Sequence, residues 1–447
     1  MKKILIANRG EIASRIIKTC NDLGIETVAV YSDADEQMPF VKEATVAHRI
    51  GEPPVNKSYL QYETILEVAI KEKVDAIHPG YGFLSENAQF AVAAQEAGIT
   101  FIGPSVDTIQ LMGDKIGARQ AMIDAGVPVV PGSEGGVFSV EEATLLAEEM
   151  GYPVMLKASG GGGGIGMIRC ENEQALVRSF DSTKARAKAY FGTEEVFVEK
   201  YIENARHVEV QIFGDKHGNI VHLFERDCSI QRRHQKVVEE TPSPFLSDKT
   251  RELMYETAVK AAQSVNYVNA GTIEFIVDEK ENFYFLEMNT RLQVEHPITE
   301  QITGLDLVKW QILTASGEKL PLQQSEIQRK GHAIEFRLYA EDPKSFLPSP
   351  GKIEEFSWTP GDGIRVDNGY GPNLTVSPFY DPMIAKIIIS GESRDVSIEL
   401  ARKYFENLTI SGIKTNAPLF KEILSEEDFL NGEYTTAYLA NHKLMAK

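Results

Sequence analysis

The 447 residues carry 46 lysines and arginines against 65 aspartates and glutamates, a net charge of −19, and are 43% hydrophobic and 25% charged. This length exceeds what one hydrophobic core supports and predicts roughly three domains, while no run approaches the roughly 20 apolar residues of a membrane-spanning helix. So acidic a field repels nucleic acid, so a phosphate site must come from local groups of lysine, arginine or backbone N–H.

The three cysteines, Cys20, Cys170 and Cys228, form no CxxC pair and read as buried free thiols. The apolar run after Met1-Lys2-Lys3 ends at Ala7, too short for a signal-peptide core, so a cytoplasmic location is expected. Residues 3–7 predict a strand, and Ile12, Ile16, Ile17 and Leu23 recur at helical spacing before Gly24. A strand at Thr27–Tyr31, another near Val74–Ile77, a helix near Asn87–Ala97 and a strand near Thr100–Ile102 continue the alternation. The pattern is α/β and predicts a doubly wound parallel sheet, a Rossmann-like domain over residues 1–113. Its first loop, Asn8-Arg9-Gly10-Glu11, lacks the second and third glycines of a dinucleotide fingerprint. Asp33 and Asp35 stand where a ribose-binding acid could, but a scaffold without cofactor is the better reading, and a dehydrogenase is disfavoured. The segment His78-Pro79-Gly80-Tyr81-Gly82-Phe83-Leu84-Ser85-Glu86-Asn87 reads as a shaped strand-to-helix loop with Ser85 as N-cap.

Residues 114–330 hold most of the chemistry. The strand Pro153–Ser159 bears a lone Lys157, runs into Gly160–Gly164, Ile165 and Gly166, and returns as a strand at Met167–Cys170. Glycines let successive amides converge on an anion, so Gly162, Gly163, Gly164 and Gly166 are candidates for a flap over phosphate. No Walker loop is present, and a strand follows the glycines instead of a helix. Lys115 alone reads as a helix-end charge.

Two strand patterns, Thr272–Val277 and Phe283–Asn289, flank a polar turn near Lys280-Glu281. With a two-residue loop there, Glu274 lies opposite Glu287, a like-charge pair that a divalent cation would relieve. Asn289, two residues on, adds an oxygen ligand of the kind magnesium prefers. Glu287, Asn289, Arg291, Gln293 and Glu295 share odd parity, predicting one extended polar face on which Arg291 grips a small oxyanion beside the metal.

Arg226–Lys236 concentrates cations, balanced between a solvated patch and a phosphate site, and His234 and Lys236 would point the same way in extended chain. His207 opens a strand-like run to Ile212. From 331 the chain turns strand-rich, at Ala333–Tyr339, Ile353–Trp358 and Ile384–Ile389, and ends in helical patterns at Ser393–Asn407 and Thr436–Lys447, predicting a third, mixed α/β domain over 331–447. Arg337, inside an apolar strand, needs an anionic partner or a site.

Ala7–Ala13, the His78–Asn87 loop, Lys157 with its glycines, Glu199-Lys200-Tyr201-Ile202-Glu203, Arg232–Lys236 and Glu287–His296 together resemble the biotin carboxylase family of ATP-grasp enzymes over essentially the whole chain. The resemblance implies an ATP-grasp domain over 114–330, with a flap subdomain at about 131–203. It implies ATP contacts from Lys115, Lys157, Glu199, Lys200, Ile202, His207, Gln231, His234 and the metal-bearing Glu274 and Glu287. Glu274, Glu287 and Asn289 would hold magnesium or manganese; Lys236, Arg291, Gln293 and the Val294 backbone would bind bicarbonate; Glu295 would act as its base. Arg337 would stabilise the biotin enolate, and Tyr81 resembles a wall of the biotin side. Bicarbonate would attack the γ-phosphate to give carboxyphosphate, whose breakdown releases carbon dioxide and a phosphate that deprotonates biotin. Ile165 stands where some members carry arginine, and no Ala-Met-Lys-Met biotinylation site occurs, so a separate biotin carboxyl carrier protein is expected as partner. A carboxyltransferase subunit, in an acetyl-CoA carboxylase or a two-subunit pyruvate carboxylase, and a homodimer are implied likewise. The competing readings are an amine-joining ATP-grasp ligase, which would not need Arg337, and a non-catalytic nucleotide-binding subunit.

Overall fold

The computed structural model describes residues 1–133, 135–158, 167–191 and 194–441. Strands Lys3–Ile6, Glu26–Ser32, Val46–Gly51, Ala76–His78 and Thr100–Phe101 form one parallel sheet with Lys3–Ile6 at its centre. Ile4 and Ile6 pack on Ile12, Ile16 and Ile17 of helix Gly10–Asp22, while Leu5 and Ala7 pack on the opposite layer with Ile65 and Phe90. Burial of both faces is why this strand reads as an unbroken apolar run. The His78 loop departs from expectation at its end: Asn87 caps helix Ala88–Glu96 by accepting from the Phe90 amide at 2.8 Å, and the buried Ser85 hydroxyl has no hydrogen-bond partner among the described residues.

The crevice above this sheet is filled by protein. Arg9 donates to both oxygens of Asp35, at 2.6 and 2.7 Å, and to the Tyr370 hydroxyl at 3.0 Å. Its guanidinium also lies 4.3 Å from the centre of the Tyr380 ring. Asp35, one of the two ribose-acid candidates, is thus spent on Arg9. Gly369 packs so closely that a Cβ there would lie 2.7 Å from the Glu11 nitrogen.

The second sheet has eight strands, all antiparallel, ordered Phe283–Asn289, Asn269–Val277, Arg206–Gly214, Ile220–Arg232, Gln235–Thr241, His332–Tyr339, Met383–Gly391, Ile364–Asn368. It runs without a break across residue 330, through the pairing of Val238 with Phe336 and Thr241 with Ala333. The strand-rich tail therefore extends the central sheet and adds two small sheets of its own, Gly351–Lys352 with Thr375–Val376 and Glu355–Ser357 with Thr409–Ser411. Of the expected strand Ile353–Trp358 only Glu355–Ser357 forms; Ser393 caps helix Arg394–Asn407, and Tyr438–Asn441 is a short helix beyond which the expected pattern lies outside the described residues.

A smaller sheet, Met167–Cys170, Val154–Ala158 and Val196–Lys200, packs against helices Val140–Met150 and Glu173–Phe191 around Val154, Leu156, Cys170, Leu176 and Phe180. Its first two strands pair as a hairpin up to Lys157 opposite Met167; the intervening Gly162, Gly163, Gly164, Ile165 and Gly166 lie outside the described residues. The three cysteines are free and buried, and among the described residues no helix is long and apolar enough to cross a membrane.

Glu240 ties the shared sheet to the tail. It accepts from His332 at 2.6 Å, Arg394 at 2.7 and 2.9 Å, and the Tyr434 hydroxyl at 2.5 Å. Burial opposes its ionisation, but Arg394 and His332 outweigh it and bring the carboxyl from 4.5 down to about 2. Because the folded value lies below the unfolded one, this stability is present above pH 4.5 and is lost as the pH falls toward 2. Glu240→Gln is expected to cost about 3 kcal/mol in urea unfolding at neutral pH and to flatten the acid limb; an unchanged acid limb would refute the assignment.

Candidate active site

Glu274 and Glu287 face each other across the hairpin. The loop between the strands is five residues, held by Asp278 accepting from the Lys280 and Asn282 amides, not the expected two. A bulge between the Phe275–Phe285 and Glu274–Glu287 pairs restores the register. It also switches the inward parity from Phe283 and Phe285 to Met288, which turns Glu287 out of the core.

The same register continues into the next strands. Glu274 lies opposite Glu209, and Glu209 opposite Arg226, so three carboxylates and one guanidinium form a single cross-strand row. Arg226, fully buried, donates to Glu209 at 2.6 Å, Gln211 at 2.7 Å and Thr299 at 2.9 Å. Lys236 donates to Glu209 at 2.5 Å, Glu295 at 2.7 Å and Glu274 at 2.9 Å, with Gln293 at 3.4 Å. Glu274 also meets His207 at 2.8 Å and accepts from Asn289 at 2.8 Å and Gln293 at 2.9 Å. Burial opposes the charge on Glu274, but Lys236 and His207 prevail and hold it well below the usual carboxylate range.

Glu287 differs. It reaches solvent and has no hydrogen bond or ion pair among the described residues; desolvation by the cleft and the Glu274 charge push its carboxyl upward. An unneutralised carboxylate beside the amide of Asn289 and the anionic Glu274 is a donor set that fits a hard divalent cation. The Asn289 oxygen accepts from Arg291 at 2.9 Å and keeps its second lone pair.

Strand geometry ends at Asn289, so the expected extended face does not form; residues 290–295 are an irregular loop leading to helix His296–Thr303. The loop converges its side chains nonetheless. Arg291 bonds Glu86 at 2.9 Å, Gln293 reaches Glu274, and Glu295 lies between Lys236 and Arg337, the latter at 2.9 Å. Arg337 meets Glu239 at 2.6 Å, and burial pushes the Glu239 carboxyl up to about 7 with Arg337 opposing.

On the flap side Lys157 pairs with Glu199, with Arg119 at 3.9 Å from the same carboxylate. Lys115 sits at the first position of helix Lys115–Asp124, where a cation opposes the helix dipole. Burial lowers its ammonium, while Glu287 and Glu199 act to raise it, so it links the two groups electrostatically. Gln231 joins by bonding His207 at 2.7 Å.

Other expected residues stand apart. Arg233 and His234, at φ 49 and 67, form a tight turn between paired Arg232 and Gln235, so His234 is exposed at a hairpin tip and does not point with Lys236. Lys200 donates to the Gly151 and Tyr152 carbonyls at 2.8 and 3.3 Å; Ile202 is half-buried beyond its strand. Tyr81 lies against Lys386, 5.8 Å from ring centre to Nζ, and Val294 presents its carbonyl to that lysine. Sequence reasoning missed Glu209, Glu239, Arg119 and Lys386, and named Arg226 and Glu86 only within a cation-rich run and a strand-to-helix loop. For Glu209 and Lys386 the signal was the one that exposed Arg337: a charge inside an apolar strand pattern.

Opposed carboxylates beside a lysine-lined hairpin sheet, with an anion-sized cluster of cations and amides next to them, define an ATP-grasp ligase. Family models match accordingly: "Biotin carboxylase, N-terminal domain" over residues 1–109, "Carbamoyl-phosphate synthase L chain, ATP binding domain" over 114–323 and "Biotin carboxylase C-terminal domain" over 335–441. Biotin carboxylase 2 of Bacillus subtilis is 57% identical, covering 98% of this chain and 99% of its own length. The 2-oxoglutarate carboxylase small subunit of Hydrogenobacter thermophilus is 50% identical over 99% of this chain and 93% of its own. The crystal structure of the biotin carboxylase domain dimer of that enzyme, with MgADP, ADP and bicarbonate, superposes at TM-score 0.96 and 49% identity, covering 100% of this chain and 99% of that one. The chain belongs to the biotin carboxylase family.

Lys236→Met would leave Glu209, Glu274 and Glu295 sharing fewer cations in a buried site. It is expected to cost about 3–5 kcal/mol in urea unfolding at pH 7, whereas a loss under about 1 kcal/mol would mean that the carboxylates relax by taking up protons.

Proposed function

We propose that this protein uses ATP and bicarbonate to carboxylate biotin carried on a separate protein, through carboxyphosphate. The observation that carries the reading is Lys236, held among Glu209, Glu274 and Glu295 and beside Gln293, one strand row from the unneutralised Glu287. In this reading Lys115 and Lys157 meet the nucleotide phosphates, with Glu199, Lys200, Ile202, His207, Gln231 and His234 along the nucleotide. Glu274, Glu287 and Asn289 hold magnesium or manganese, which when bound neutralises charge on the terminal phosphates.

Bicarbonate lies against Lys236, Arg291, Gln293 and the Val294 backbone, with Glu295 as base. Burial opposes charge on Glu295, but Lys236 and Arg337 hold it ionised, well below its usual range and therefore weakly basic. An arriving bicarbonate draws Lys236 toward itself, and loss of that cation raises the basicity of Glu295 when a proton must be accepted. Arg337 then faces the biotin enolate, fixed by Glu239 on one side, with Tyr81 as a wall of the biotin side.

The partners follow from the same reading: a biotin carboxyl carrier protein, a carboxyltransferase subunit and a second copy of this chain. Relatives include subunits of 2-oxoglutarate and pyruvate carboxylases, which supports an acceptor chosen by the carboxyltransferase, acetyl-CoA, another acyl-CoA or pyruvate among them. An acidic cytoplasmic enzyme fits this role.

ADP release by the purified chain is expected to require magnesium and bicarbonate together and to rise with free biotin; ADP formation indifferent to both bicarbonate and biotin would sink the assignment. Arg337→Ala is expected to slow biotin-dependent turnover about 100-fold while leaving ATP affinity within about 2-fold, and equal losses in both would remove its enolate role.

A further inference from the structure

Lys386 is a buried cation to which the proposed chemistry gives no part. It lies in strand Met383–Gly391, in register with Arg337 on one side and Asp367 on the other, and its side chain is 0% exposed. Its Nζ donates to the Val294 carbonyl at 2.9 Å and stands 3.1 Å from Glu11 and 4.0 Å from Asp367. The Val294 carbonyl belongs to the peptide that joins Val294 to Glu295. Glu11 belongs to the first turn of helix Gly10–Asp22 in the N-terminal layer. One ammonium therefore fastens the irregular loop to the tail strand and to the N-terminal domain at once.

A wholly buried lysine is costly unless its donors are used, and here one of them is used on the backbone beside the proposed base. Loop 290–295 lies outside the ladder that fixes the strands on either side of the cleft, so a charge-assisted hydrogen bond to its backbone sets where Gln293 and Glu295 point. We propose that Lys386 is a positioning residue for bicarbonate: by holding the Val294 carbonyl it fixes the Gln293–Glu295 segment, and through Glu11 it makes that placement depend on the seated N-terminal domain. This rests on the carboxylase reading. Lys386 itself need not touch bicarbonate or ATP.

The test is steady-state ADP release by the full chain, with bicarbonate and ATP varied separately in the presence of free biotin. Lys386→Met is expected to raise the KM for bicarbonate about 10-fold and to leave the KM for ATP within about 2-fold. Glu11→Gln, which keeps the lysine but removes one of its two carboxylate neighbours, is expected to raise the bicarbonate KM about 3-fold. An unchanged bicarbonate KM in both variants overturns the proposal, as does a parallel rise in both KM values. Should Lys386→Met fail to fold by circular dichroism, Glu11→Gln decides alone, and an unchanged bicarbonate KM there is fatal. A wild-type chain without bicarbonate-dependent turnover would instead refute the carboxylase reading and this inference with it.

Discussion

Three glutamates in one cross-strand row, Glu287, Glu274 and Glu209, set the terms for everything around them. Like charges opposed on neighbouring strands destabilise a sheet, and low dielectric makes each unpaired carboxylate expensive. The fold answers from one end. Arg226 closes the inner end of the row, and Lys236 reaches over from the adjoining hairpin to meet Glu209 and Glu274 together. The outer end is left open, because Glu287 has no cation of its own among the described residues. A row whose ion pairs are confined to one end fits a positively charged guest at the other.

The same economy governs the neighbouring tail strands. Glu239 and Glu335 are opposed across the join between the central and tail parts of the sheet, both wholly buried. Burial drives the Glu335 carboxyl well up, while Glu239 is engaged with Arg337. Breaking a buried pair costs far more than the pair itself contributes, so these contacts specify arrangement more than they add stability. Arg337 and Glu295 are accordingly held in place by the protein's own ion pairs, which is what electrostatic preorganisation requires.

Much of this was legible in the residues. The opposition of Glu274 and Glu287 follows from the hairpin pattern, although the two-residue turn that suggested it is really a five-residue loop compensated by a bulge. The sequence carries the trace of that bulge, since Phe283 and Phe285 are apolar at odd positions and Met288 at an even one. Three things were hidden. Glu209 stands out only as a charge in the strand pattern His207-Val208-Glu209-Val210-Gln211, and its strand neighbours alone reveal that it extends the acidic row. Lys236 and His234 share parity, but a left-handed turn at Arg233 and His234 separates them, and parity holds only while the chain stays extended. The sheet crossing residue 330 was hidden too, because pairing between Gln235–Thr241 and His332–Tyr339 spans about a hundred residues, a separation that local periodicity does not encode.

The plugged crevice of the N-terminal sheet has a bearing on biogenesis. Arg9 and Asp35 leave the ribosome long before Tyr370 and Tyr380, which complete their surroundings. At roughly 5–20 residues per second the first sheet waits on the order of half a minute with its polar mouth wet. Vectorial synthesis thus assembles this crevice as an unfinished cup whose lid is translated long after its floor, so formation of the first sheet does not by itself make it whole.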